Sequence, residues 1–212
     1  MLQTQSVYPA TLGLLKKLMN LPPLASFNLV GGTALALQFG YRISVDLDLF
    51  TEHVFNTEVL QSAIEQFANE EHYTLKWEMV ADVSLSGTID GVRVDMIHFP
   101  YPLIDDLVYE GEIRMLSPKD IAPMKLSAIA KRGVKKDFFD MYELLKRYSL
   151  DEMLQFYQQK FPYTDTTFLL RALLYFDDAE REEDPIMLKS YTWKDVKKEM
   201  TKQVHSFFER QV

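Results

Sequence analysis

Two carboxylates one residue apart, Asp46 and Asp48, interrupt the apolar run Val45-Asp46-Leu47-Asp48-Leu49-Phe50. Asp46 follows Thr33 of the triplet Gly31-Gly32-Thr33 by thirteen residues. On a strand, residues two apart point the same way, so Asp46 and Asp48 share one face while Val45, Leu47 and Leu49 share the other and can enter a core. Two like charges on one face repel unless something positive sits between them. A pair of divalent cations bridging a polyphosphate answers that requirement. The small-residue triplet suits the anion: glycines permit close backbone approach, amides at a helix start point toward negative charge, and Thr33 adds a hydroxyl. A Gly-Gly turn alone need be no more than a turn. Its spacing from Asp-Leu-Asp gives it a chemical reading.

Gly31-Gly32-Thr33, a helix, then Ser44-Val45-Asp46-Leu47-Asp48-Leu49-Phe50 resembles the signature of the DNA polymerase β-type nucleotidyltransferase superfamily. That signature is Gly-Gly or Gly-Ser, a spacer and Asp-x-Asp. Arg42 through Phe50 resembles a narrower pattern, Arg-x-Ser-x-Asp-Leu-Asp-Leu-Phe, of the AbiEii/AbiGii-type toxin nucleotidyltransferases of bacterial toxin–antitoxin and phage-defence systems. The resemblance implies an α+β fold, a polymerase β-like mixed sheet flanked by helices and followed by a helical C-terminal half. It implies transfer of a nucleoside monophosphate from an NTP to an acceptor with Mg²⁺, two ions, as cofactor. RNA such as tRNA is the acceptor it suggests, with a separately encoded antitoxin as partner. Transfer to a small molecule or a protein hydroxyl, and a catalytically inactive nucleotide-binding module, are the competing readings.

Such chemistry calls for a third carboxylate. Asp95 interrupts Val92-Arg93-Val94-Asp95-Met96-Ile97, where a buried charge without partners would be costly. By comparison with the superfamily, Asp95 joins Asp46 and Asp48 as a metal ligand and orients the incoming hydroxyl; the alternative is a solvent-facing strand position. Lys125 through Asp140 resembles the family's later motif, a lysine-bearing helix followed by Arg/Lys-Asp-x-x-Asp. On that resemblance Lys125 contacts nucleotide phosphate and Asp137 lies near the nucleotide or the lysine. Asp137 and Asp140 share a helix face, and an acid in the first helical turn is also favoured structurally. Ser44 and Arg42 match the narrower pattern, either supporting the metal loop, binding phosphate or making structural hydrogen bonds. Lys131, Arg132, Lys135 and Lys136 flank a glycine turn, as a solvated charge run or as a surface for acceptor RNA.

The bulk properties restrict the partners. With 212 residues the chain can bury a sizeable core, and 47% hydrophobic with 25% charged residues is ordinary for a globular protein. No apolar run approaches the roughly 20 residues of a membrane span, the first twenty residues lack a secretory pattern, and a cytoplasmic protein is expected. Without cysteine there is no disulfide, thiolate site or cysteine nucleophile. A net charge of −8 argues against broad nucleic-acid binding, although Lys119–Arg147 carries eight Lys/Arg against four Asp/Glu. His53, His72, His98 and His205 show no metal-ligand spacing.

The elements that must position these groups are legible in outline. Periodicity predicts helices over Val7–Asn20, Thr33–Phe39 and Thr57–Glu71, the last with Val59, Leu60, Ala63, Ile64 and Phe67 inward. Strands are expected at Phe27–Val30, Val45–Phe50, Tyr73–Val80, Val83–Ile89, Val92–Phe99 and Ile113–Leu116, with Asp90-Gly91 marking a two-residue hairpin. From Ser117, an N-cap before Pro118, the chain reads as helical: 118–130, 135–147, 150–160, 166–175 and 193–209. Asp177–Asp184 reads as a solvated loop. A boundary near Ser117 separates an α/β domain, 1–116, from a helical domain, 117–212.

Overall fold

A computed structural model describes residues 1–162 and 164–210. Tyr163, Gln211 and Val212, within the expected helical half, lie outside the described residues. The chain forms two compact units. The first comprises Met1–Gln38, Ser44–Pro102 and Leu107–Leu116; the second comprises Phe39–Ile43, Leu103–Asp106 and Ser117–Val212.

The first unit is built on a seven-stranded mixed sheet, alongside helices α1 (Pro9–Met19), α2 (Gly31–Phe39) and α3 (Thr57–Glu70). Its strands are β1 (Asn28–Leu29), β2 (Leu47–Thr51), β3 (Leu75–Ala81), β4 (Ser84–Ile89), β5 (Val92–His98), β6 (Val108–Glu110) and β7 (Ile113–Met115). They are ordered β3-β4-β5-β2-β1-β7-β6. The β2–β5 and β1–β7 pairs are parallel and the others antiparallel, the mixed arrangement of an α+β fold. Leu47, Leu49, Val94, Met96 and Leu85 are buried on one side of the central strands, and α3 packs Leu60, Ile64 and Phe67 inward. Asp90 and Gly91 both take positive φ, 49° and 79°, as a two-residue hairpin between right-twisted strands requires. Arg114 of β7 ties down the connection from α1 to β1: its guanidinium donates to the carbonyls of Met19, Leu24 and Phe27 at 3.1, 3.0 and 3.2 Å.

Several boundaries differ from the pattern-based expectation, each for a local reason. The carboxylate-bearing strand begins at Leu47, and Val45 is 46% exposed rather than part of the core, because the chain ahead of Leu47 is not in the ladder. Val59 lies in the first turn of α3 and is exposed, although its spacing fits the apolar side. Strand β6 exists only through pairing with β7, a tertiary effect that a three-residue segment cannot announce.

The second unit carries α4 (Pro118–Arg132), α5 (Lys135–Leu145), α6 (Leu150–Lys160), α7 (Thr167–Ala172), α8 (Asp177–Glu180) and α9 (Trp193–Glu209). Ser117 caps α4 by accepting from the Asp120 amide, and Gly133 ends it at φ 57°. Capping boxes start α6 (Ser149 with Glu152) and α9 (Thr192 with Asp195). Phe138, Phe176 and Trp193 pack ring against ring, with Phe139 stacked on Trp193. The acidic run expected as a loop begins with the one-turn α8, whose Ala179 is fully buried. No helix among the described residues is long and apolar enough to cross a membrane.

Asp120 is the fixed point at the start of the helical run. Fully buried, it accepts from the amides of Ile104 (2.8 Å) and Asp105 (3.1 Å), from Ser117 Oγ (2.8 Å) and from the buried Lys160 Nζ (2.8 Å). Removing a carboxylate so fully engaged takes a charged acceptor from the buried Lys160 ammonium and the acceptor from two amides. Asp120→Ala should therefore cost on the order of 3–5 kcal/mol in urea unfolding, well beyond the effect of a surface substitution such as Asp151→Ala.

Candidate active site

In the sheet unit, the parallel register of β2 and β5 pairs Asp48 with Asp95. Adjacent strands lie about 4.8 Å apart, so paired residues project side by side from one face. Ser86 of β4 pairs with Asp95 in turn and is buried, extending a polar row of Asp48, Asp95 and Ser86 across three strands. The residues behind this row, Leu47, Leu49, Val94 and Met96, are fully buried and hold the strands from the other side.

Gly31 makes room for the row. Its φ is +66°, and a Cβ placed there would collide with Asp48 Oδ2 and come 3.3 Å from the Asp48 carboxyl carbon. The Asp48 carboxylate therefore lies directly against the backbone that opens α2, where the first helical amides have no intrahelical acceptor. Val30 N donates to the Asp48 carbonyl at 2.9 Å, fixing the two segments together.

Asp46 is placed by its backbone. It precedes β2, and its carbonyl accepts from Thr33 Oγ1. A carbonyl can only accept, so Thr33 gives its single proton there, and the 2.9 Å contact between Thr33 Oγ1 and Ser44 Oγ is made by the Ser44 proton. Thr33 and Ser44 are both buried. Their first task is thus to hold the segment that carries Asp46 against the start of α2.

Asp95 has a cationic neighbour that pattern reasoning overlooked. Arg93, two residues earlier on the same face of β5, places Nη2 3.2 Å from Asp95 Oδ1 and Nη1 2.7 Å from Glu78 Oε2. The charge of Asp95, then the hydrogen bond to Glu78, raises the Arg93 pKa above its ordinary value. The signal was present in Arg93-Val94-Asp95: alternate positions on a strand share a face.

The helical unit holds a second charged cluster. Asp140, fully buried on α5, takes a two-pronged contact from Arg42, with Nε at 2.7 Å and Nη2 at 3.1 Å, and accepts from the Tyr41 hydroxyl. Lys125 Nζ reaches Asp140 Oδ2 at 2.6 Å and Asp137 Oδ1 at 2.8 Å, and Arg132 Nε reaches Asp137 Oδ2 at 2.9 Å. Burial opposes the ionisation of Asp140, yet the charges of Arg42 and then Lys125 hold its carboxyl well below the usual carboxylate range. Burial likewise works against Lys125, and Asp140 and Asp137 outweigh it to raise its pKa. Asp137 is buried too, and Lys125 with Arg132 keeps it ionised. Tyr41 completes a network of which the sequence had named Arg42, Lys125, Asp137 and Asp140. Lys135, one of the bases around the glycine turn, is buried and donates to Asp184 and the Glu182 carbonyl.

The sheet site suits a hard divalent cation. Mg²⁺ takes one or two carboxylates and completes its shell with water and substrate phosphate oxygens rather than an all-protein cage. Asp48 and Asp95 side by side, with the Asp48 carboxylate packed against the Gly31 backbone, offer that donor chemistry. Among the described residues no three His, Asp or Glu side chains converge on one cation position.

Comparison with known proteins defines the class. Helicobacter pylori JHP933 has the same overall fold, with a TM-score of 0.52 at 19% identity over 98% of this chain and 100% of that one. MenT4, the nucleotidyltransferase toxin Rv2826c of Mycobacterium tuberculosis H37Rv, gives 0.52 at 12% identity over 91% of this chain and 83% of its own. In sequence, the uncharacterized protein aq_aa25 of Aquifex aeolicus (strain VF5) is 30% identical over 201 residues, 92% of this chain and 94% of that one. The model of the nucleotidyl transferase AbiEii toxin family, type IV toxin–antitoxin system, matches residues 14–108 and 82–210. The chain belongs to this family and is a nucleotidyltransferase.

Two measurements test the geometry. Gly31→Ala should lose roughly 1–3 kcal/mol, because alanine at positive φ is strained and its methyl meets the Asp48 carboxylate; thermal unfolding reads the loss. Acid sensitivity tests the second cluster. Asp140 has a folded pKa below its ordinary 3.8, so the stability it contributes is fully present above that value and lost as pH falls through the depressed one. Urea midpoints should drop below about pH 4. In Asp140→Asn the drop should be shallower, on a protein already less stable at pH 7.

Proposed function

We propose that the protein transfers a nucleoside monophosphate from an NTP to an acceptor hydroxyl with Mg²⁺, as the toxin of a bacterial toxin–antitoxin system. The observation that carries this reading is the Asp48–Asp95 register with Gly31 opened against Asp48. In this reading Asp46, Asp48 and Asp95 would between them hold two Mg²⁺ ions, and the backbone of Gly31-Gly32-Thr33 would cradle the triphosphate. Bound Mg²⁺ would supply charge neutralisation for the phosphoryl group and the pyrophosphate leaving group. Asp95, beside Asp48 on the neighbouring strand, orients the acceptor hydroxyl and takes its proton. Thr33 and Ser44 keep the Asp46 segment in place. Family resemblance adds Lys125 and Asp137 to the nucleotide's surroundings; their mutual pairing supports a prior role in fixing α4, α5 and the Tyr41–Arg42 segment within the helical unit.

RNA, such as the acceptor end of tRNA, is the acceptor class this reading favours, with a separately encoded antitoxin as partner and the cytoplasm as compartment. The family assignment supports the antitoxin partner. Purified protein incubated with Mg²⁺, each labelled NTP, and separate pools of RNA, protein and small hydroxyl compounds should label RNA. Asp48→Ala should reduce incorporation by at least about a hundredfold, on the scale expected when a group central to charge stabilisation is lost. Label in the protein or small-molecule pool would reassign the acceptor. Absence of label in every pool, together with no NTP binding by calorimetry, would remove the catalytic reading.

A further inference from the structure

The sheet unit carries five basic side chains, Lys16, Lys17, Lys76, Arg93 and Arg114, against thirteen acidic ones. Lys16 pairs with Glu112, and Lys17 with Glu71 and Tyr73. Arg114 is spent on three backbone carbonyls, and Lys76 lies on edge strand β3, two strands from Asp95. Arg93 is the basic side chain of this unit that pairs with Asp95. It has two acceptors of unequal grip. Glu78, on β3, holds Nη1 at 2.7 Å; Asp95 holds Nη2 at 3.2 Å. Both Arg93 and Glu78 are close to half-exposed, while the Asp95 side chain is 20% exposed.

We propose that Arg93 is a positioning residue that serves as a stand-in counter-ion for Asp95, anchored by Glu78 and displaced from Asp95 when a divalent cation binds. The inference rests on the metal-binding reading of Asp46, Asp48 and Asp95 given above. Asp48 and Asp95 are neighbours in register, and without a cation their charges repel. Arg93 offsets that repulsion by occupying Oδ1 of Asp95. A guanidinium cannot share a carboxylate with a dication at no cost, since its charge opposes the ion and its N–H occupies a lone pair the ion needs. Glu78 makes the exchange inexpensive: when Asp95 turns to the metal, Arg93 keeps its shorter hydrogen bond and does not have to find a new partner. Arg93 then lowers the site's affinity for a bare cation. It lowers it less for a cation arriving with a triphosphate, whose negative charge offsets the guanidinium. The device favours the metal–nucleotide complex over the metal alone.

The two partners of Arg93 give substitutions of opposite sign. Full-length protein without nucleotide is titrated with Mn²⁺, and free Mn²⁺ is followed by electron paramagnetic resonance. Arg93→Gln should bind Mn²⁺ roughly three- to tenfold more tightly than the natural protein, the range expected for one nearby, partly solvated charge. Glu78→Gln leaves Arg93 with Asp95 as its charged acceptor and should weaken Mn²⁺ binding about twofold or more. Arg93→Lys keeps the charge and should stay near the natural value. The differences should shrink as KCl rises from about 0.05 M to about 0.5 M. A merely structural Arg93 would make Arg93→Gln and Glu78→Gln change affinity in the same direction or leave it unchanged, and either result overturns the proposal. Asp48→Asn separates the two levels. If it loses the Mn²⁺ binding that the natural protein shows, the metal site stands whatever Arg93 does. If natural and Asp48→Asn proteins titrate alike, the metal-binding reading falls and the role of Arg93 with it.

Discussion

Like charges set side by side on one sheet face do not stay there unless the fold compels them, and the sheet unit is organised around that constraint. The parallel β2–β5 register brings Asp48 next to Asp95. What resists their separation is the apolar side of the same strands: Leu47, Leu49, Val94 and Met96 are each at most 1% exposed, and their burial fixes the register from behind. A slip of one residue would turn these four to the opposite face and withdraw both carboxylates from it. The hydrophobic effect is thus what holds the electrostatically unfavourable arrangement in place. Gly31 completes it sterically, because any side chain there would displace Asp48.

The helical unit faces the complementary problem of keeping ionised groups away from water. Its answer is saturation. Asp140 is met by Arg42, Lys125 and Tyr41, and Asp137 by Lys125 and Arg132, so each buried carboxylate has more than one charged donor. Asp120 is saturated differently, by the ammonium of Lys160 together with the Ser117 hydroxyl and two amides. Such clusters are weak sources of net stability, since desolvation offsets much of the Coulomb gain, but they are intolerant of losing a member. They fix which residues meet. Helix α4 contributes Lys125 and Arg132, α5 contributes Asp137 and Asp140, and the short segment Phe39–Ile43 contributes Tyr41 and Arg42. Positions far apart in the chain are thereby held to one arrangement.

The sequence made the sheet carboxylates legible because their chemistry lies in a short pattern. Asp46, Asp48 and the glycine triplet fall within eighteen residues, Gly31–Asp48, and Asp95 stands out as a charge within an apolar strand. The helices were legible from periodicity and, at α4, from Ser117 at the N-cap; the caps of Ser149 and Thr192 emerged with the structure. What the sequence could not show was partnership. Nothing local says that Thr33 spends its proton on the Asp46 carbonyl, or that Lys125 lies between two acids. Tyr41 gave no signal at all, since its hydroxyl acquires meaning only beside Asp140, ninety-nine positions away. Val45 and Val59 mislead for a related reason: periodicity assigns a face to a residue only once the element has begun in earnest, and both lie at or before an element's first turn.

The distribution of charge bears on what the sheet unit can do with a nucleotide. A triphosphate is a strongly anionic ligand, and an excess of eight acidic side chains over basic ones in that unit repels it at long range. Attraction must come from short-range groups that the acidic field does not cancel. In the proposed function, backbone amides at the start of α2 are one such source, with Gly31 and Gly32 letting phosphate approach where side chains would keep it at a distance. Divalent cations are the other, and the same excess of carboxylates that repels a bare nucleotide attracts them. Under the proposed function, the acidic character of the unit therefore favours a nucleotide that meets its cation at or before the site. A sheet face bearing paired carboxylates, with an arginine that has a second acceptor within reach, is suited to receive the two together.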